Sequence, residues 1–294
     1  MAACCASACF CFLPMLVSAQ NSLPSENGPN VSMSADPAPA MMETGFRNLY
    51  ELDFKGAREK FQSYEKMAPN DPLGRAAEAA SYLYEEFNEK GVFTSEFFLN
   101  DQKLLGGADG SAAENRNGPF LDANQSARMM ARQQLKGSPR DPHALLVLTM
   151  TDGMESDYDA LIVKKQMASL TLMKQAEAEA GQLLAVDPTQ QDAYLALGAS
   201  NYIIGCLPGY KKAFLWFGGV HGDKAKGLEE MESVAQNGHY LRPFAKILLA
   251  LAYEREHEME KARVLLADLA NQFPTNPIFA HELSLVDKNS ARNR

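Results

Sequence analysis

Basic charge, cysteine in the body of the chain, and strand-like alternation are all scarce in this sequence. Lys and Arg number 28 against 37 Asp and Glu, a formal charge of −9. Phosphate binding needs a basic face, so this balance argues against nucleic acid and against an anionic membrane surface. Four of the five cysteines, Cys4, Cys5, Cys9 and Cys11, crowd the N-terminus, and only Cys206 lies in the body. With the first segment removed, no intramolecular disulfide is possible and the fold must rest on packing. No β-branched run alternates with period two, so strands are not expected. No apolar run approaches the roughly 20 residues of a spanning helix. There is no G-x-S-x-G, no phosphate loop and no H-E-x-x-H. These absences argue against an enzyme, a metal and a cofactor.

The N-terminus carries what resembles an export signal. An apolar run over 9–17 precedes Val17, Ser18 and Ala19, small residues placed as for cleavage between Ala19 and Gln20, although no Lys or Arg precedes the run. Residues 1–19 are therefore expected to be a signal peptide and the mature chain periplasmic or secreted. Residues 20–40, rich in Ser, Pro, Asn and Ala, are expected to form a flexible tether.

From Met41 onward the apolar period is helical. In 259–270, Met259, Ala262, Leu265, Leu266 and Leu269 make one stripe; in 158–184, Tyr158, Leu161, Ile162, Leu170, Met173, Ala176, Ala180, Leu183 and Leu184 make another. Ser156 and Asp157 are expected to cap the long helix of that second stripe. The pairs Pro69/Pro72, Pro139/Pro142 and Pro274/Pro277, and Pro188 between Asp187 and Thr189, mark where one helix stops and the next starts. An alanine lies twelve residues before the first proline of each break, at Ala57, Ala127, Ala176 and Ala262. A small residue there lets antiparallel helices approach closely. Residues 91–137 depart most from this pattern. A surface loop is expected about 100–118, around Gly106, Gly107, Gly110 and Gly118, with a helix from near Phe120 to near Lys136.

Two units carry more of a repeat. Gly45, Phe54, Ala57, Phe61 and Pro69 follow a small, aromatic, small, large, proline order, and Leu249, Ala250, Tyr253, Ala262, Leu266 and Pro274 do the same. A half-unit stands at 194–198. On these residues the chain resembles a divergent tetratricopeptide repeat (TPR) protein over 41–90 and 139–286. Segments 222–228 and 240–253 also resemble exported repeat proteins of the acidobacterial type. The resemblance implies an all-α, right-handed solenoid of antiparallel hairpins over 41–286, followed by a tail at 287–294. It also implies that a protein or peptide partner is held on a concave face lined by the first helix of each hairpin. The matching positions are Asp192, Leu195, Ala199 and Tyr202 in one unit, and Phe244, Ile247, Leu251 and Glu254 in the last. A family variant that grips a C-terminal carboxylate uses Lys and Asn where Leu195 and Ala199 stand here, which disfavours that mode.

Other candidates read more simply as structure. His221, Gly222 and Asp223 suggest an acid–base pair, but Asp223 also suits the cap of the next helix. Asp152, Glu155, Asp157 and Asp159 lack the register of a calcium loop and are expected to favour the N-terminus of the long helix. Cys206 is a buried thiol by default. The stretch 201–219 holds the only tryptophan. Exposed, Phe214, Leu215, Trp216 and Phe217 would anchor a partner or a membrane interface; buried, they are the second helix of the third hairpin, with Lys211 and Lys212 at a solvent edge. Two alternatives to a binding scaffold follow: a hydrolase assembling His221, Asp223 and Cys206 in space, or a membrane-associated protein anchored by 214–217.

Overall fold

Aspartate and proline together set the helix boundaries. The computed structural model describes residues 37–210, 212 and 221–292, and residues 36–294 form one unit. Asp71 and Asp141 accept hydrogen bonds from the free backbone N–H groups of the helices that start at Pro72 and Pro142, where proline's missing N–H costs nothing. Asp53 and Asp223 cap two more helices. The helices are α1 (Pro37–Tyr50), α2 (Phe54–Met67), α3 (Pro72–Glu89), α4 (Ser95–Phe98), α5 (Asp101–Gly106), α6 (Glu114–Gly137), α7 (Pro142–Tyr158), α8 (Gln166–Val186), α9 (Tyr194–Cys206), α10 (Lys224–Asn237), α11 (Arg242–Arg255), α12 (Met259–Gln272) and α13 (Pro277–Arg292). Among the described residues there is no strand.

The fold is an all-α solenoid of helix hairpins: α1/α2, α3/α6, α7/α8, α9/α10 and α11/α12, with α13 covering the last. First helices start 35 residues apart at Pro37 and Pro72, and again from Arg242 to the α13 start at Pro277. Between these ends the spacing is stretched, because α4 and α5 interrupt the second unit and the third hairpin is long. The four marker alanines are at most 2% exposed. Each sits on a second helix where it packs on its neighbours. In the α9/α10 pair glycine plays that part. A Cβ on Gly227 would lie 2.5 Å from the Tyr202 backbone N and 2.7 Å from the Gly198 carbonyl oxygen, so the two backbones touch with no side chain between them.

The first hairpin also meets the last, which closes the inner face. The Tyr50 hydroxyl donates to the Tyr240 carbonyl at 2.9 Å, and Asn276 Nδ2 donates to the Tyr50 carbonyl at 2.8 Å. Phe46 stacks on Tyr240 at 4.7 Å, and Tyr50 packs on Phe273 at 5.6 Å.

Several boundaries differ from the sequence expectation. Helix α1 opens at Pro37, inside the segment 20–40 expected as tether, and α13 runs to Arg292 through the expected tail 287–294. Leu283 and Val286 continue its apolar face, and no proline or glycine interrupts it. Ser156 and Asp157 cap nothing. Asp141 and Pro142 nucleate α7 upstream, Gly153 is carried through it, and a wide π turn over Asp159–Val163 ends it. Lys164, left-handed at φ 64°, makes the break before α8. The acidic cluster therefore lies at the end of a helix and not at its start. Asp152 is fully buried, with Arg128 Nε 2.5 Å away, while Arg128 Nη2 reaches Glu155 at 2.7 Å. Burial and then the neighbouring Asp152 push the Glu179 carboxyl up to about 8 beside this network.

The largest difference is at 91–118. Val92, Phe93, Phe97, Phe98 and Ala108 are buried, and α6 begins at Glu114. Helices α4 and α5 cross to the far side of the ring. Ser95 N donates to Glu282 Oε2 at 3.2 Å, Arg255 Nη1 donates to the Phe98 carbonyl at 3.1 Å, and Arg255 also pairs with Asp101. Of the loop expected about 100–118, residues 107–113 are non-helical with Asp109, Gly110 and Ser111 exposed, while Asp101–Gly106 is α5 and α6 already opens at Glu114.

Candidate functional site

The first helices α1, α3, α7, α9 and α11 converge on a cavity of about 740 Å³. Phe46 and Leu49 of α1, Leu83, Tyr84 and Phe87 of α3, and Leu146 and Met150 of α7 form one side. Leu195, Ala199 and Ile203 of α9 and Phe244 and Leu248 of α11 form the other. Leu170 and Met173 of α8 add to the wall, and Phe97, Phe98 and Leu104 of the α4/α5 insertion cover it. Met167 and Tyr210 also border the cavity and are 71% and 74% exposed.

The cavity's volume and apolar lining are those of a small-molecule site, in which a few polar groups set orientation. Most polar side chains on the wall are already engaged. Thr149 donates to the Leu145 carbonyl, Ser156 to the Ser169 carbonyl, and Gln166 to the Ala160 carbonyl. Ser200 bonds to Glu177, and the Tyr84 ring packs edge-on against Tyr50. Asp192 accepts from the backbone N–H groups of His239 at 2.7 Å and Tyr240 at 2.9 Å, which ties the α10–α11 turn to α9. Asp157 is different: protein encloses it, its open surface faces the cavity, and burial pushes its carboxyl up from 3.8 to about 7.

Of the residues expected to line a groove, Asp192, Leu195, Ala199 and Phe244 are on the cavity wall. Tyr202 turns the other way. It is 1% exposed, stacks on Phe98 and donates to the Ala252 carbonyl and Glu256 at 3.2 and 3.1 Å. Ile247 and Leu251 are core, and Glu254 is buried near Glu282 of α13 with its carboxyl raised to about 7, chiefly by burial. The face presented by α11 is thus 241, 244 and 248, one step round from the expected register. Lys212 is exposed and donates to the Gly205 carbonyl at 3.1 Å. Lys211, Trp216 and the aromatics 214–217 lie outside the described residues, as do 1–36.

The segments that carry the alternative hydrolase set lie side by side, since a Cβ on Gly222 would meet the Gly205 backbone N at 2.5 Å. The Asp223 carboxylate accepts from the N–H groups of Ala225 at 2.9 Å and Lys226 at 3.1 Å, so it is engaged as a helix cap. His221 is exposed before it, and Cys206 is a half-buried free thiol beside Tyr202. No group of three or more His, Cys, Asp or Glu among the described residues could hold a metal ion. No helix there is long and apolar enough to cross a membrane.

The sequence reading missed Asp157 as a wall residue and the insertion as a cover. The signal for the second was present: Phe93, Phe97, Phe98 and Leu104 are too apolar for an exposed loop.

No family model matches this chain, and no curated protein matches it. Among solved structures it is similar to a thermophilic TPR protein of Thermus thermophilus, TTC0263. The two are 14% identical with a TM-score of 0.44, over 85% of this chain and 98% of that one.

Proposed function

We propose that this protein is a non-catalytic binding scaffold that houses an apolar guest inside its ring of first helices. The observation that carries this is the cavity of about 740 Å³, lined chiefly by apolar side chains and bordered by the exposed Met167 and Tyr210. An extended peptide fits such a chamber poorly. Each of its residues brings a backbone donor and an acceptor, and walls whose polar groups are mostly engaged would leave them unpaired. A small apolar molecule has no such cost. Export to the periplasm or beyond belongs to the same proposal and rests on the apolar run 9–17 and the small residues before Gln20.

The test is uptake of a neutral apolar dye, N-phenyl-1-naphthylamine, by the full chain. Saturable fluorescence that Ala199→Trp abolishes, with the helical signal unchanged, supports the reading. No saturable uptake removes it. A second reading, a protein partner inserting apolar side chains at the mouth, is favoured by the exposure of Met167 and Tyr210. A crosslinked pull-down lost in a Met167→Ser, Tyr210→Ser variant that still takes up the dye would support that reading. N-terminal sequencing of mature material tests export: a start at Gln20 supports it and an intact Met1 ends it.

A further inference from the structure

The cavity carries one polar group that the fold does not use. Ser156, Ser169 and Thr149 lie near Asp157 in sequence or across the wall, and each is bonded within the protein. Asp192 receives two backbone N–H groups. Asp157 has no hydrogen bond or ion pair among the described residues, although it sits in a wall made chiefly of hydrocarbon. Asp157 is partly exposed and borders the cavity, so whatever fills the cavity must solvate its carboxylate. Nothing structural is gained from it. Asp157 is in the last turn of α7, where the helix's partial negative charge makes an acid unfavourable.

The sign of the wall narrows what could satisfy it. Among the described lining residues there are two acids, Asp157 and Asp192, and no Lys, Arg or His. An anionic guest would meet a like charge in a low-dielectric chamber. A neutral guest could at most donate a hydrogen bond and would bring no counter-charge. A guest with an apolar body and a protonated amine would fill the chamber and supply the missing donor and counter-charge together.

We infer that the cavity is a site for a lipophilic amine, with the Asp157 carboxylate as the group that recognises its ammonium end. This rests on the cavity reading above, and the test separates the two. Full-length protein at about pH 8, where an alkylamine is protonated, is loaded with N-phenyl-1-naphthylamine and titrated with octylamine, octanol or octanoate, which share one tail. Octylamine is expected to displace the dye at concentrations at least about ten-fold lower than the other two, the scale of one charge-assisted bond. In Asp157→Asn and Asp157→Ser, with dye uptake measured for each, octylamine and octanol should displace the dye at equal concentrations. Dye binding without amine preference overturns the inference and leaves the cavity reading standing. So does a preference that survives in both variants, which would trace it to the acidic surface. A wild-type protein that takes up no dye ends both.

Discussion

Replacing Asp157 by asparagine should stabilise the protein at neutral and alkaline pH while leaving it nearly unchanged in acid. The carboxyl is held up to about 7 against an ordinary 3.8, and the cause is burial. Below about pH 4 it is protonated in both folded and unfolded chains, so it costs nothing. As pH rises from there, the unfolded chain gives up the proton and the folded one keeps it, so stability falls by about 1.4 kcal/mol per pH unit. Above about pH 7 the group ionises in both states and the loss levels off. The gap between 3.8 and about 7 sets a ceiling of about 4 kcal/mol, reduced by any water that enters the cavity. Asparagine has the same shape and does not titrate. Glu65, Glu179 and Glu254 are raised as well, so the wild-type curve alone cannot be assigned to one residue; the difference between the two proteins can. Urea midpoints measured for both from about pH 4 to 8 should diverge as pH rises, with Asp157→Asn the more stable. Parallel curves would refute the claim that Asp157 is held in an apolar wall.

Arg128→Met should cost about 3–5 kcal/mol, because it removes the ion-pair partner of the buried Asp152 and leaves only Arg132 opposing its charge; an unfolding free energy lowered by less than about 1 kcal/mol would contradict the buried network. Gly227→Ala should lose about 1–3 kcal/mol by forcing α9 and α10 apart, read as a lowered melting temperature. Asn276→Ala removes both the bond to the Tyr50 carbonyl and the cap on Ile278, 2.9 Å away. It should lose about 1–3 kcal/mol and speed hydrogen exchange in α1 more than in α7, and uniform exchange would count against ring closure. Asp223→Ala should cost about 1 kcal/mol as a lost cap while His221→Ala costs little; equal large losses would reopen a joint role for the pair.

Sequence determined the helices and their partners in the hairpins, because those depend on neighbours along the chain. Period-3.6 stripes, Asp–Pro starts and buried alanines at Ala57, Ala127, Ala176 and Ala262 are local signals, and the structure places each where a hairpin needs it. Where local signals competed, the reading slipped. Gly153 suggested a break, but Asp141 and Pro142 had already nucleated α7, and one glycine costs too little to stop a helix held by packing. The groove register on α11 slipped by one position because apolar residues lie on both sides of that helix, and only contact with α12 and α13 says which side is core. Tertiary structure alone decided that the ring closes from Tyr50 to Asn276, that side chains of 92–104 cover its inner face, and that Asp157 borders the cavity. Those three facts join residues far apart in the chain, and no periodicity within a segment records what another segment will bring against it.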